Sequence, residues 1–204
     1  MSKQFTSVFI SLLAVVGIAA KLHTENYSVD PATSTLHWTA KKVTGQHDGF
    51  VKIKSGYLVM NHGTPVGGSF DLDMTTITCA DIKDEKKNQD LVGHLKGDDF
   101  FSVEKNPIAT LKIGSITRLT EAKTGEPNFQ VNANLTIKGI TQPVQFPALF
   151  EGTHQQVKAT AKITIDRTKW NISYKSGTVF PSLADKAIAD NVEFEVSIVA
   201  NAAH

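Results

Sequence analysis

Seven histidines, His23, His37, His47, His62, His94, His154 and His204, are the first residues to weigh for chemistry, and their spacing offers little. No two lie at i, i+4 on an expected helix, none forms a His-x-His pair along a strand, and no Cys-x-x-Cys accompanies them, so no metal-ligand pattern is written in the order of residues. His94 stands near Asp98 and Asp99, where a general base would be useful. A lone helix histidine is more often a structural or solvated group. Asp98 and Asp99 are adjacent, and adjacent side chains do not face each other across a substrate as paired carboxylates must. Asp166 and Arg167 end an expected strand just before Trp170. There they either close a barrel mouth as an ion pair or leave Arg167 to meet the polar head of a ligand. No Gly-x-Ser-x-Gly elbow, phosphate-cradling glycine loop or dinucleotide fingerprint is present. The single cysteine, Cys79, forms no internal disulfide and reads as a buried apolar side chain or, alternatively, a reactive thiol. Asn-x-Ser/Thr triplets at Asn26, Asn134 and Asn171 would matter only in a host that glycosylates them.

The elements that must position these residues are mostly strands. Phe129, Val131, Ala133, Leu135 and Ile137 alternate with Gln130, Asn132, Asn134, Thr136 and Lys138. Val157 to Ile165 and Val192 to Ile198 repeat the pattern, as do Leu36–Ala40, Val51–Lys54 and Phe70–Met74. A period of two means one dry and one wet face. The tract Asn61–Gly68, with Gly63, Pro65, Gly67 and Gly68, is a hairpin turn in composition. Pro143 and Pro147 each lack a ladder donor and mark their strand as edge or bulged. About eight such strands point to an all-β, antiparallel barrel, which leaves no sticky edge.

One stretch departs from this rhythm. Asn88–Ile113 begins as an amphipathic helix with Leu91, Val92 and Leu95 on one side and Asp81 or Asp84 as candidate N-cap. Gly97 is read as the helix stop, in the left-handed conformation that glycine adopts without penalty. Phe100 and Phe101 follow, then Pro107 and a strand from Ile108 to Ile113. A helix and an aromatic pair inserted between strands form a plug or lid. Inside the barrel, large residues (Trp38, Phe70, Leu135, Phe146, Phe194) mix with small ones (Ala40, Ala133, Ala148, Ala159, Ala161). That mixture fits either a cavity or a dense core in which alanine opposes phenylalanine.

Length and charge narrow the class. Of 204 residues, the first twenty hold Lys3, an uncharged run from Phe5 to Ala20, and small residues at its end. They read as a secretory signal peptide cleaved after Ala19 or Ala20, since the dense apolar run Leu12–Ala20 falls short of the ~20 residues a membrane span needs. The remainder, residues 21–204, fits a single domain, periplasmic or secreted, with no transmembrane segment. Twenty-one basic against twenty acidic residues, a formal net charge of +1, leave no patch for nucleic acid. No motif names a protein partner.

Taken together, several of these residues resemble the YceI-like family of exported polyisoprenoid-binding proteins, from Tyr27 to about Val199. The markers are Tyr27-Ser28-Val29-Asp30, Gly49-Phe50, Gly93-His94-Leu95-Lys96-Gly97-Asp98-Asp99-Phe100-Phe101, Leu135-Thr136-Ile137-Lys138-Gly139-Ile140-Thr141-Gln142-Pro143-Val144, Arg167-Thr168-Lys169-Trp170-Asn171-Ile172 and Asp190-Asn191-Val192. The resemblance implies an elongated, lipocalin-like barrel holding an isoprenoid lipid, a quinone or a polyprenyl phosphate, in an apolar tunnel, with no catalytic group and no other cofactor. Thr33, Asn106 and Leu111 stand where the family often has histidine, tyrosine and phenylalanine. Strand parity and the lid then nominate Trp38, Phe50, Phe70, Leu72, Leu91, Leu95, Phe100, Phe101, Leu135, Ile137, Phe146, Ile163, Trp170 and Phe194 for the ligand's chain. Arg167 and His94 are the candidates for its head group. The competing expectations are an enzyme acting on a bound lipid through His94 or Arg167, and a filled barrel that binds a partner.

Overall fold

The structure, a computed structural model, describes residues 24–202. The expected leader, together with His23 and His204, lies outside them. Ten strands are present among the described residues: β1 Thr24–Val29, β2 Thr35–Lys42, β3 Gly45–Phe50, β4 Lys52–Asn61, β5 Thr64–Asp73, β6 Ile108–Arg118, β7 Phe129–Ile137, β8 Ile140–Gly152, β9 Gln156–Asp166 and β10 Ile188–Ala202. They form one antiparallel sheet in the order β1-β4-β5-β6-β7-β8-β9-β10-β2-β3, and pairing of β1 with β10 closes it.

The ten segments make eight staves. β10 pairs with β2 through Ser197 and with β1 from Ala200 onward, so β1 and β2 are one stave interrupted by the turn at Asp30–Ser34. Ser34 bridges the interruption, its hydroxyl accepting from the Val199 N–H at 2.9 Å. β3 runs into β4 through Val51, whose N–H donates to the Leu36 carbonyl at 3.1 Å. β10 alone has 15 residues, about 50 Å of strand, so the closed barrel is elongated.

Alternation is clearest in β7, where Phe129, Val131, Ala133, Leu135 and Ile137 are all buried and the residues between them are not. Two hairpins turn on paired positive φ angles, His62 (46°) with Gly63 (76°) and Lys138 (51°) with Gly139 (71°). Both match the two-residue turn whose twist suits antiparallel strands. The first corrects the broad turn expected over Asn61–Gly68: the turn is two residues long, and Pro65, Gly67 and Gly68 belong to β5. The proline expectation holds in a refined form. β8 is an interior strand, but its first half, Ile140–Pro147, pairs only with β7, because pairing with β9 begins at Ala148.

The inserted helix, α1, is Glu85–Lys96, capped by Asp84, whose carboxylate accepts from the Lys87 N–H at 2.9 Å. Gly97 is the stop, as expected, but not in the expected left-handed conformation. Gly97 has φ −74°, an ordinary value, and the left-handed residue is Ser102, φ 44°. Ser102 donates its hydroxyl to Asp98 at 2.8 Å and its N–H to the Gly97 carbonyl at 2.9 Å, which folds the chain after α1 into a compact knot. The insert leaves β5 and returns to β6 at the same end as the β2–β3 and β7–β8 hairpins. The opposite end is plugged by Tyr27, Leu58 and Ala200, each at most 1% exposed.

Candidate binding cavity

Inward-facing residues of all eight staves enclose a cavity of about 170 Å³. Among those that line it, all but Thr160 and Arg167 are apolar or aromatic. The interior is therefore hollow, though narrower than the roughly 300–1,000 Å³ of ordinary small-molecule sites.

The structure places Trp38, Phe70, Leu72, Leu95, Phe100, Phe101, Leu135, Ile137, Phe146, Ile163 and Phe194 on the wall. Three nominated residues lie elsewhere. Phe50 is 46% exposed on the outer surface, its ring 4.9 Å from that of His37. Parity explains it: Gly49 is buried and faces inward, so Phe50 faces out and Val51 in. Gly49 admits no side chain there, because a Cβ would lie 1.9 Å from the Thr78 carbonyl oxygen and 2.9 Å from the Trp38 ring. Leu91 is half-buried on α1 but does not reach the cavity. Trp170 is 1% exposed and belongs to the packing at the lidded end, not to the cavity lining.

Both head-group candidates are engaged by the protein itself. Arg167 is 4% exposed and donates to four main-chain carbonyls, those of Ala189, Ile172, Tyr174 and Ile188, at 2.9–3.1 Å. Its Nη2 also lies 3.2 Å from Asp190 Oδ1. Burial pulls the guanidinium below its ordinary pKa, against the opposing pull of Asp190 and Asp166. With its N–H groups committed to these partners, Arg167 ties the irregular segment 171–187 to the start of β10 at the lidded barrel end. Its ion-pair partner is Asp190, while Asp166 caps the following turn by accepting from Thr168. His94 contacts Asp99 through Nε2 at 3.0 Å, and its ring meets those of Phe100 and Tyr174 edge-on at 5.0 and 4.6 Å. It braces the lid from outside the cavity.

Several wall residues lay outside the nominations. Leu36, Ala40, Ile53, Val192 and Val196 share the parity of nominated neighbours, so the same period of two carries their signal. Met74, the last residue of the Phe70–Met74 alternation, keeps the inward parity although it opens the short turn Met74–Thr76, whereas Ile77 follows that turn, where no periodicity marks it. Tyr174, the lid's aromatic partner, lies in a segment with no repeating pattern.

A closed eight-stave antiparallel barrel with an apolar interior and one inserted helix defines the class as a lipocalin-like barrel. The chain belongs to the YceI-like domain family, whose sequence profile matches residues 27–200. Among relatives, a UPF0312 protein of Azotobacter vinelandii is 29% identical over 119 residues, 53% of this chain and 59% of that protein. One from Pseudomonas aeruginosa is 37% identical over 59 residues, 29% and 28% of the two chains. The aligned stretches thus cover less than two thirds of these relatives. Among solved structures, BcnA of Burkholderia cenocepacia superposes with a TM-score of 0.60 at 20% identity over 85% of this chain and 99% of that one. A polyisoprenoid-binding domain from Saccharophagus degradans gives 0.59 at 13% over 87% and 98%. A Campylobacter jejuni YceI protein gives 0.53 at 15% over the whole of both. At these identities the likeness is one of fold.

Proposed function

We propose that this protein is a carrier that holds the isoprenoid tail of a lipid inside the barrel, with the head group at the lidded mouth. The observation that carries the reading is the cavity wall, apolar except for Thr160 and an Arg167 whose N–H groups are already engaged. Such a wall rewards hydrocarbon at roughly 0.8 kcal/mol per buried methylene. It presents no uncommitted cation to a phosphate, so a quinone or polyprenyl phosphate head stays outside. The polyisoprenoid-binding domain among the structural neighbours agrees with this ligand class. Because the empty cavity is narrow, a long chain widens it by turning half-buried side chains such as Phe101 and Phe194.

The enzyme reading is not favoured. No carboxylate, histidine or thiol lines the cavity, and general acid–base chemistry needs one within hydrogen-bond reach of the reacting atom. Organic extraction of the purified protein followed by mass spectrometry tests the carrier reading. A polyprenyl or quinone mass near one per chain supports it; empty extracts with no uptake of added lipid sink it. Residues 1–20 are the export leader in this reading, and an intact mass beginning at residue 20 or 21 in protein from the periplasm checks that.

A further inference from the structure

Beyond the cavity lining, at the end of the barrel that carries the β2–β3 hairpin, the fold brings His47 to Cys79 and Asp81, which lie more than thirty residues further along the chain. His47 comes from β3, while Cys79 and Asp81 come from the segment between the Met74–Thr76 turn and α1. Imidazole, thiol and carboxyl ligand atoms lie within 4.8 Å of one another. His47 Nδ1 is 2.9 Å from Asp81 Oδ2, and Cys79 Sγ is 3.2 Å from Asp81 Oδ1.

We propose that His47, Cys79 and Asp81 form a binding site for one borderline divalent transition-metal ion, Zn²⁺ above all. The donor set decides the metal. One nitrogen, one sulfur and one oxygen suit Zn²⁺, whereas Ca²⁺ and Mg²⁺ take oxygen, and a blue-copper site needs a second histidine. Zinc–ligand bonds of roughly 2.0–2.3 Å in a tetrahedron put donor atoms about 3.3–3.7 Å apart. The two contacts to Asp81 need to open by a few tenths of an ångström, and His47 and Cys79, within 4.8 Å, to close by about 1 Å at most. The fourth position is left to water.

The framework around these donors is already fixed. The N–H groups of Thr78 and Ala80 donate to the carbonyls of Phe50 and Asp48, zipping the segment onto β3. The Asp48 N–H donates to Asp81 at 3.1 Å, and Asn88 on α1 donates to the carbonyls of Cys79 and Ile82. Preset partners of this kind orient ligands and strengthen metal sites. The charged group facing the site is Lys42, 3.3 Å from His47 Nε2, while the Asp48 carboxylate is turned to the other face of β3, where it holds His37 at 2.8 Å. Cys79 thiolate and Asp81 carboxylate together neutralise a divalent ion. The ion would clasp β3 to the approach to α1, which makes it a structural clip beside the lid and independent of what the cavity holds.

Binding converts the Cys79 thiol to thiolate and releases its proton to solvent, so affinity rises with pH. Burial pushes the free thiol up, which leaves it protonated when no metal is bound. The test uses Co²⁺ as a probe on the reduced, chelator-stripped full chain. The expected result is one Co²⁺ per chain, with tetrahedral visible bands and a near-ultraviolet thiolate charge-transfer band that Zn²⁺ displaces. Cys79→Ser removes the charge-transfer band. His47→Ala weakens binding by more than the roughly 10–100-fold that loss of an outer partner costs, while His154→Ala changes nothing. If a variant misfolds, Zn²⁺ still slows alkylation of Cys79 in the wild-type chain. Absence of binding, a thiolate band that survives Cys79→Ser, or alkylation indifferent to Zn²⁺ overturns the site.

Discussion

The indole N–H of Trp170 donates to the main-chain carbonyl of Leu135 at 3.1 Å, tying the turn after β9 to the lidded end of β7. Both residues are buried, so neither group has water as an alternative partner. Trp170→Phe keeps most of the packing but removes the indole's bond to the Leu135 carbonyl, which the β7–β8 ladder also engages, at a cost of about 0.5–1.5 kcal/mol. Trp170→Ala also leaves a void and costs about 3–5 kcal/mol. Chemical denaturation of the two variants checks the ordering. A Trp170→Phe variant as stable as the wild type would mean that the hydrogen bond contributes nothing.

Arg167 and Asp190 make a second prediction, which separates architecture from ligand contact. Arg167→Ala leaves the largely buried Asp190 carboxylate with Ser176 alone and takes this donor from four carbonyls, and breaking a buried pair in this way costs about 3–5 kcal/mol. For a chain of this size that is roughly 6–20 °C in melting temperature. Arg167→Lys keeps the charge but lacks the planar fork, so it rescues only part of the loss. Lipid uptake by folded Arg167→Lys protein equals that of the wild type in this account. A selective loss of uptake at unchanged melting temperature would return Arg167 to a head-group role.

These two residues also show how far the sequence could be read. Strand parity placed β7 and β9 on the barrel and put Leu135, Ile137, Phe146 and Ile163 on the cavity side, because each lies in an unbroken alternation. Parity would have placed Phe50 correctly too, since Val51 and Ile53 face in; ranking aromatic type above alternation put it on the wrong side. Arg167 and Trp170 were recognised as important, but their partners come from a segment without periodicity, so only coordinates reveal Tyr174, Ala189 and Asp190 around them. The His47–Cys79–Asp81 cluster was invisible for a related reason. Metal motifs are read from spacing within one element, and here a backbone zipper between distant segments makes the juxtaposition.

Asp81 gives a pH prediction in metal-free protein. Burial works to raise its carboxyl, but hydrogen bonds from His47, the Asp48 N–H and the Cys79 thiol outweigh this and lower its pKa from 3.8 to about 2. A depressed folded-state value stabilises the protein above the unfolded value, and that stabilisation fades as pH falls through the folded one. The side chain is 30% exposed, so solvent screening cuts the contribution to the order of 1 kcal/mol. With chelator present, Asp81→Asn is therefore less stable than wild type at pH 5, and the gap closes between about pH 4 and pH 2. A gap that stays constant across this window would show that the carboxylate's charge plays no part.

The cavity itself is tested by filling it. Ala161 lies on the wall, half-buried, opposite Val196 of β10 and Ala148 of β8. Ala161→Phe puts an aromatic ring into the volume that a lipid tail would use. Because that volume is vacant, the ring meets little of the strain that overpacking a dense core produces, so the cost stays below about 2 kcal/mol. Lipid uptake falls steeply, since the displaced tail forfeits roughly 0.8 kcal/mol for each methylene pushed back into water. Uptake of a fluorescent or radiolabelled prenyl lipid, read beside thermal melting, distinguishes the outcomes. Lost stability with retained uptake would mean that the interior at Ala161 is packed and the ligand lies elsewhere.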